Sequence, residues 1–147
     1  MLDHLGFPVL DYPRSRAFYE RALAPLGYGV VMSVTREMTG SYEGCGFGPV
    51  GGRPQFWVGE GGGEARGAGM HIAFMAQTRA QVDAFHAAAL AAGARDNGPP
   101  GLRPHYHPNY YGAFVIDLDG HNIEAVCHAP EDAIAGPLRS STSPMSR

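Results

Sequence analysis

The alternation of apolar and polar residues near the start of the chain predicts a β-strand over residues 3–9. Leu5, Phe7 and Val9 fall on one face of this strand, and His4 falls on the other. A strand with one apolar face packs that face against a helix or a second sheet. His4 is therefore expected on the side of the strand that points away from the core.

A helical spacing follows this strand. Phe18, Ala22 and Leu26 recur at intervals of four and form an apolar stripe. Asp11 is a suitable residue to begin the helix, and Gly27 lies where it should end. Three further strands are predicted near residues 28–35, 42–48 and 54–59.

The same order of elements returns at an offset of 67 residues. The segment His4-Leu5-Gly6-Phe7 matches His71-Ile72-Ala73-Phe74 without a gap, and Phe47 falls on Phe114. The second copy contains a strand over residues 70–76, a helix from Thr78 to Gly93, and strands near 110–117 and 121–128. A proline-rich loop, residues 98–108, is expected to replace most of the strand between them.

This repeat predicts an α+β fold built from two β-α-β-β-β modules. Residues 1–128 would form a single domain, with modules 1–59 and 69–128 joined by a glycine-rich linker at 60–68. Residues 129–147 are rich in Pro, Ser and Thr and are expected to form a C-terminal tail.

Composition excludes several kinds of chemistry. All eleven basic residues are Arg, they form no dense patch, and the net charge is −3, so binding to nucleic acid or to an acidic membrane is not expected. The absence of Lys excludes a lysine Schiff base. Cys45 and Cys127 have no metal-type spacing and are expected to be reduced thiols of a cytoplasmic protein. No apolar stretch approaches the roughly 20 residues that a membrane span needs.

The most informative residue is Glu124, on the last predicted strand. In the alternation after the turn Asp119-Gly120, Glu124 faces away from Ile123 and Ala125. An unpaired carboxylate on an interior face would cost several kcal/mol, so a metal, a cation or a catalytic proton is its usual partner. The alternatives are a surface charge on an edge strand or a partner for a nearby Arg.

His4 and His71 are equivalent in the repeat and lie on the same strand face as Glu124. Two imidazoles and one carboxylate suit a divalent transition metal and leave positions open for substrate or water. In the first module the position of Glu124 is taken by Trp57, which cannot bind a metal and is expected to form a wall of the substrate pocket.

The segment from Arg103 to Tyr111 is rich in groups that exchange protons. His107 and Tyr110 are candidate catalytic acids or bases, with a surface loop ordered by stacked rings as the alternative. The candidate substrate-binding residues are Trp57, Arg103, His105 and Tyr111. For Arg103, a salt bridge is the commoner use.

Paired modules with His4 and His71 on their first strands, closed by the segment from Asp117 to Glu124, resemble the vicinal oxygen chelate superfamily of glyoxalases, bleomycin-resistance proteins and dioxygenases. The resemblance covers residues 2 to about 128, and Leu118 departs from the usual Asp-Pro-Asp-Gly. It implies an open eight-stranded cup, one divalent metal ion (Fe²⁺, Mn²⁺, Ni²⁺ or Zn²⁺) held by His4, His71 and Glu124, a small-molecule substrate, and a homodimer that can exchange modules.

The function expected from this resemblance is metal-dependent catalysis on a small oxygen-chelating substrate, with extradiol-type dioxygenase chemistry slightly favoured. One alternative is a glyoxalase-like lyase or isomerase, although Trp57 counts against a true glyoxalase I, and another is a fosfomycin-type thiol transferase. A third is a non-catalytic binding protein similar to bleomycin-resistance proteins.

Overall fold

A computed structural model describes residues 3–61 and 70–131. Its elements are β1 (Leu5–Pro8), α1 (Tyr12–Leu23), a 3-10 turn (Ala24–Leu26), β2 (Tyr28–Val34), α2 (Arg36–Thr39), β3 (Gly44–Pro49), β4 (Phe56–Gly59), β5 (His71–Met75), α3 (Arg79–Ala91), β6 (Arg95–Leu102), β7 (Tyr111–Ile116) and β8 (Asn122–Cys127). Most of the predicted linker at 60–68 and of the predicted tail at 129–147 lies outside the described residues.

The strands form two four-stranded mixed sheets, in the orders β1-β4-β3-β2 and β5-β8-β7-β6. In each sheet the first pair is parallel, whereas the remaining pairs are antiparallel. The two sheets are open rather than closed into a barrel. The predicted α+β fold of two β-α-β-β-β modules is therefore confirmed.

Local capping fixes the ends of the two long helices. The Asp11 side chain accepts a hydrogen bond from the Arg14 backbone at 3.0 Å, and Thr78 forms a reciprocal capping box with Gln81. Gly27, with φ of 81°, lies in the left-handed region that favours glycine and ends the first helical segment. The sequence-based helix boundaries agree with these caps to within a residue or two.

The strand register shows where the repeat holds and where it slips. Gly6 pairs with Trp57 in the first module as Ala73 pairs with Glu124 in the second, as the offset of 67 predicts. In the next strand, Phe47 pairs with Phe56, whereas Ile123 pairs with Val115. The structural counterpart of Phe47 is therefore Val115, and the matching of Phe47 with Phe114 was wrong by one residue.

The prediction that a loop at 98–108 replaces most of a strand was also wrong. Strand β6 continues to Leu102, with register shifts between Asp96 and Gly98 and between Gly98 and Gly101. Strand β6 lies at the edge of its sheet. Pro99 and Pro100 have no backbone N–H, but on the outer side of an edge strand there is no neighbouring strand whose hydrogen bond would be lost. The true connection to β7 is residues 103–110.

Both modules contribute to one apolar core. Helices α1 and α3 pack against each other, and the rings of Phe56 and Phe74, on the helix-bearing faces of the two sheets, lie 5.2 Å apart in an edge-to-face contact. The opposite faces of the sheets point away from this core. Glu124 and Trp57 lie on those outer faces, and we call them the open faces.

A buried polar cluster also joins the modules. The Tyr19 hydroxyl on α1 donates to Asp117 Oδ2 at 2.5 Å, and His121 Nδ1 lies 2.9 Å from the same oxygen. The His121 ring packs 4.3 Å from that of Phe7 on β1. Burial and the neighbouring Asp117 carboxylate raise the pKa of Tyr19 well above its ordinary value. The turn that precedes Glu124 is thereby fixed to the first module.

Within residues 3–61 and 70–131, no helix is both long and apolar enough to span a membrane.

Candidate functional site

Glu124 lies on β8, between β5 and β7, with only 1% of its surface exposed. Its Oε1 accepts a hydrogen bond from the Tyr110 hydroxyl at 2.5 Å, and its Oε2 lies 3.0 Å from His71 Nε2. Each carboxylate oxygen therefore has a polar partner, as a buried carboxylate requires. Glu124 is therefore an interior acid held between two specific side chains. It is not a surface charge on an edge strand, because β8 lies inside its sheet and the side chain is buried.

The second ring nitrogen of His71 also has a partner. His71 Nδ1 lies 3.2 Å from the backbone carbonyl of Asn122. An N–H on Nδ1 can donate to this carbonyl, and Nε2 is then the nitrogen that could bind an ion together with Glu124; a direct hydrogen bond between Nε2 and Glu124 needs a proton on one of the two atoms. Histidine ligands of metals are typically held in this way by a backbone carbonyl.

The pair opens into a cavity of about 250 Å³ that is mostly aromatic. Its lining residues are His71, Tyr106, Tyr110, Phe114 and Glu124. The rings of His71 and Phe114 stack at 6.1 Å with an interplanar angle of 26°. Polar atoms at the base of an aromatic cavity are the usual arrangement of a small-molecule site.

Tyr110 begins the last turn before β7 and points into this cavity. Burial raises the pKa of its hydroxyl, and the hydrogen bond to Glu124 raises it further. The phenol is therefore neutral at physiological pH and serves as a donor to Glu124. The sequence identified Tyr110 as a candidate acid or base but did not identify its partner.

Gly112 is a residue of the site that sequence reasoning missed. A Cβ at this position would lie 2.9 Å from Glu124 Oε1 and 3.2 Å from Tyr110 Cε1. The absence of a side chain at Gly112 therefore makes room for the hydrogen bond between them. Only the alternation of β7, which places Gly112 on the same face as Tyr110, could have identified it from the sequence.

His4 belongs to a different surface. It is exposed, its Nδ1 lies 2.8 Å from Asp3 Oδ1, and it borders a hollow of about 400 Å³ between the modules, which is lined by apolar residues such as Phe56 and Phe74. In the parts of the chain that the structure describes, no three His, Cys, Asp or Glu side chains are grouped to hold a metal. Within one chain, two of the three predicted metal ligands, His71 and Glu124, therefore lie together, and His4 lies apart from them.

The predicted substrate-binding residues are spread over several surfaces. The Arg103 guanidinium lies 5.6 Å from the ring of Phe114, at the edge of the cavity, and donates to the Pro99 carbonyl at 2.8 Å. Tyr111 lies on the opposite face of β7, where its hydroxyl donates to Asp83 on α3 at 2.7 Å. Trp57 is on the open face of the first sheet.

The two loop histidines do not line the cavity. His105 packs on Tyr106 at 4.1 Å, and His107 packs on His128 at 6.0 Å. His107 Nδ1 accepts a hydrogen bond from the Asn109 backbone at 3.1 Å. Both histidines are exposed, so of the two predicted catalytic residues it is Tyr110 that lies beside Glu124.

Sequence and structure comparisons place these features among known proteins. The family model of the Glyoxalase/Bleomycin resistance protein/Dioxygenase superfamily matches residues 1–125. No curated protein sequence matches the chain.

Three solved structures illustrate the structural similarity. A glyoxalase/bleomycin resistance protein from Albidiferax ferrireducens T118 is 29% identical, with a TM-score of 0.68, 86% of this chain covered and 98% of that chain. A glyoxylase/bleomycin resistance protein/dioxygenase domain from Frankia sp. EAN1pec is 17% identical, with a TM-score of 0.64 and coverage of 86% and 96%. A mutant of the fosfomycin resistance protein FosX from Listeria monocytogenes, complexed with Mn(II) and 1S,2S-dihydroxypropylphosphonic acid, is 21% identical, with a TM-score of 0.62 and coverage of 86% and 90%.

Proposed function

Because this chain belongs to the Glyoxalase/Bleomycin resistance protein/Dioxygenase superfamily, we propose that it is an enzyme that uses one divalent metal ion to act on a small substrate with two neighbouring oxygen atoms. The observation that carries the proposal is the contact between His71 Nε2 and Glu124 Oε2, 3.0 Å apart at the base of an aromatic cavity. Family membership alone would fit a binding protein equally well.

The donor set fits a divalent transition metal. Glu124 supplies a buried anionic oxygen, and His71 supplies a nitrogen whose ring is already oriented by the Asn122 carbonyl. Imidazole and carboxylate ligands together suit Fe²⁺, Mn²⁺, Ni²⁺ and Zn²⁺. Tyr110 then acts as an outer residue that holds the carboxylate in place.

A third ligand is proposed to come from a second copy of this chain. His4 is exposed on the first module and has no part in the His71–Glu124 pair within one chain. Trp57 and Glu124 occupy equivalent register positions on two open faces that point away from the shared core. A homodimer in which the first sheet of one chain faces the second sheet of the other would add His4 to the pair and complete the predicted eight-stranded cup.

A bound metal would supply a Lewis acid for the substrate oxygens. Tyr106 and Phe114 line the cavity with aromatic surface, and Tyr110 keeps a proton at its hydroxyl beside Glu124. Arg103, at the edge of the cavity over Phe114, provides a positive charge for an anionic group of the substrate.

Within this class we favour a ring-cleaving dioxygenase with ferrous iron, because aromatic side chains dominate the cavity. The second candidate is a fosfomycin-type transferase or related enzyme. It is supported by the similarity to FosX, whose complex contains Mn(II) and a dihydroxypropylphosphonic acid. A non-catalytic protein that sequesters a ligand is the alternative outside enzymes.

Anaerobic reconstitution with each of the four metals, followed by oxygen-uptake and thiol-loss assays on a panel of diols and epoxides, tests these alternatives. Oxygen uptake with iron alone supports the dioxygenase, and thiol loss with manganese supports the transferase. His71→Ala should abolish stoichiometric metal binding. His86→Ala is the matched control, because His86 on α3 bonds to Asp96 outside the site. Equal metal binding by the two variants would contradict the proposal.

Cys45 and Cys127 are buried free thiols. Unbridged cysteines support the further proposal that the protein works in the reducing cytoplasm.

A further inference from the structure

The open face of the first sheet carries an indole that lies flat on glycine backbone. Trp57 pairs with Gly6 on one side and with Gly46 on the other. A Cβ at Gly6 would lie 2.8 Å from Trp57 Cβ, and a Cβ at Gly46 would lie 2.5 Å from Pro54 Cβ and 2.8 Å from Trp57 Cε2. A side chain at Gly46 would therefore displace the indole, Pro54 or both.

A second ring lies on the same face in the same manner. Tyr42 covers the paired glycines Gly44 and Gly59, and a Cβ at either position would overlap the Tyr42 ring. Its backbone is fixed by Thr39, whose Oγ1 donates to the Tyr42 carbonyl at 2.8 Å. Tyr42 remains 37% exposed. The two rings and their four glycines form a flat surface that we call the aromatic floor.

The aromatic floor borders a hollow of about 230 Å³ that carries little net charge. Its lining residues are Gly6, Phe7, Pro8, Tyr42, Trp57 and Glu60. The Glu60 carboxylate is paired with the Arg36 guanidinium through both of its oxygens. A ligand that lies on the floor therefore meets π surface and a neutralised ion pair, which favours an uncharged group.

The position of the floor connects it to the candidate metal site. Trp57 occupies in the first sheet the register position that Glu124 occupies in the second. In a cup formed by the two open faces, the floor and Glu124 would border the same interior. A substrate that reaches Glu124 with its oxygens would then present its remaining surface to Trp57.

We propose that Tyr42 and Trp57 of the aromatic floor bind a planar, uncharged ring of the substrate. That this ring belongs to a substrate of the metal site rests on the proposed function, whereas the stacking of a ring on the floor does not. Aromatic rings gain an additional stacking contribution beyond burial of apolar area, which a saturated ring of equal size does not gain. The floor should therefore distinguish a planar diol from a saturated one.

Trp57 is the single tryptophan of the chain, so one indole N–H resonance reports directly on the floor. Metal-free ¹⁵N-labelled protein is titrated with 2,3-dihydroxynaphthalene and, as the saturated counterpart of equal carbon number, with decahydronaphthalene-2,3-diol. The planar diol should shift the Trp57 resonance saturably and bind about tenfold more tightly. Equal affinities, or no shift of this resonance, would overturn the proposal.

Substitutions locate the effect on the floor. Gly46→Ala should weaken binding of 2,3-dihydroxynaphthalene about tenfold by displacing the indole together with Pro54, whereas Gly29→Ala, where an added Cβ meets nothing within 4 Å, should have no effect. Tyr42→Leu should weaken binding and Tyr42→Phe should not, which keeps the test valid if Gly46→Ala fails to fold. Unchanged binding by Tyr42→Leu would refute the assignment of this ring.

Mn²⁺ binding to the same samples separates the two proposals. Retained Mn²⁺ binding without a preference for the planar diol would overturn the aromatic floor alone. A preference for the planar diol without Mn²⁺ binding would leave the floor in place and contradict the metal-dependent function.

Discussion

The hydroxyl of Tyr110 donates a 2.5 Å hydrogen bond to Glu124 Oε1, while the other oxygen of the same carboxylate lies 3.0 Å from His71. Tyr110 therefore fixes the rotation of a carboxylate that is almost completely buried. Residues that orient a metal ligand in this way contribute to affinity without touching the metal.

Tyr110→Phe should lower the affinity for a divalent metal about 10- to 100-fold, because Glu124 loses the donor that orients it. Isothermal titration with Mn²⁺ measures this effect. The control is Tyr106→Phe, which removes a hydroxyl from the same cavity and leaves the bond to Glu124 intact. Equal affinities for wild type and Tyr110→Phe would show that Tyr110 does not orient the ligand.

Gly112→Ala should also weaken metal binding, because the new Cβ would lie 2.9 Å from Glu124 Oε1. The carboxylate or the Tyr110 ring must then move by several tenths of an ångström. The same titration measures the change, with Gly29→Ala as a glycine replacement in an open position. A thermal melt of each variant identifies any general loss of stability, which would lower the unfolding temperature.

The sequence predicted the fold and part of the candidate site because both depend on periodicity. The repeat related Trp57 to Glu124, and the structure reproduces that relationship in the register of the parallel strands. The sequence placed Glu124 on an open face, where the structure shows it held between Tyr110 and His71.

The failures have local physical causes. In β7 the second module departs by one residue from the offset of 67, and a shift of one residue exchanges the two faces of a strand. Phe114 therefore lies on the open face beside His71, and Val115 is buried. The same alternation puts Tyr110 in the cavity and turns Tyr111 towards α3. Neighbouring tyrosines in a loop give no signal of which one points inward until the start of the strand is known.

The buried cluster of Tyr19 and Asp117 predicts a pH dependence of stability. The raised pKa of Tyr19 means that the folded protein keeps the phenol protonated above about pH 10, where the unfolded chain releases the proton. The stability associated with this group is complete below about pH 10 and falls as the pH rises further.

Tyr19→Phe should therefore lose less stability between pH 10 and 11, by about 1 kcal/mol for one proton that the unfolded chain releases over this interval. Urea unfolding at a series of pH values measures the slope. At pH 7 the same variant should be less stable, because Asp117 loses a buried donor. An unchanged alkaline slope would show that Tyr19 titrates normally in the folded protein.

The position of His4 predicts complementation between two inactive variants. If each metal site combines His4 of one chain with His71 and Glu124 of another, homodimers of His4→Ala and homodimers of His71→Ala each lack one ligand at both sites. A mixed dimer has one site with both substitutions and one site with none. Refolding an equimolar mixture should then restore about a quarter of the wild-type metal sites, because half of the dimers are mixed. Mn²⁺ titration of separately refolded and co-refolded samples measures the restored fraction, and the absence of restoration would contradict a metal site shared between two chains.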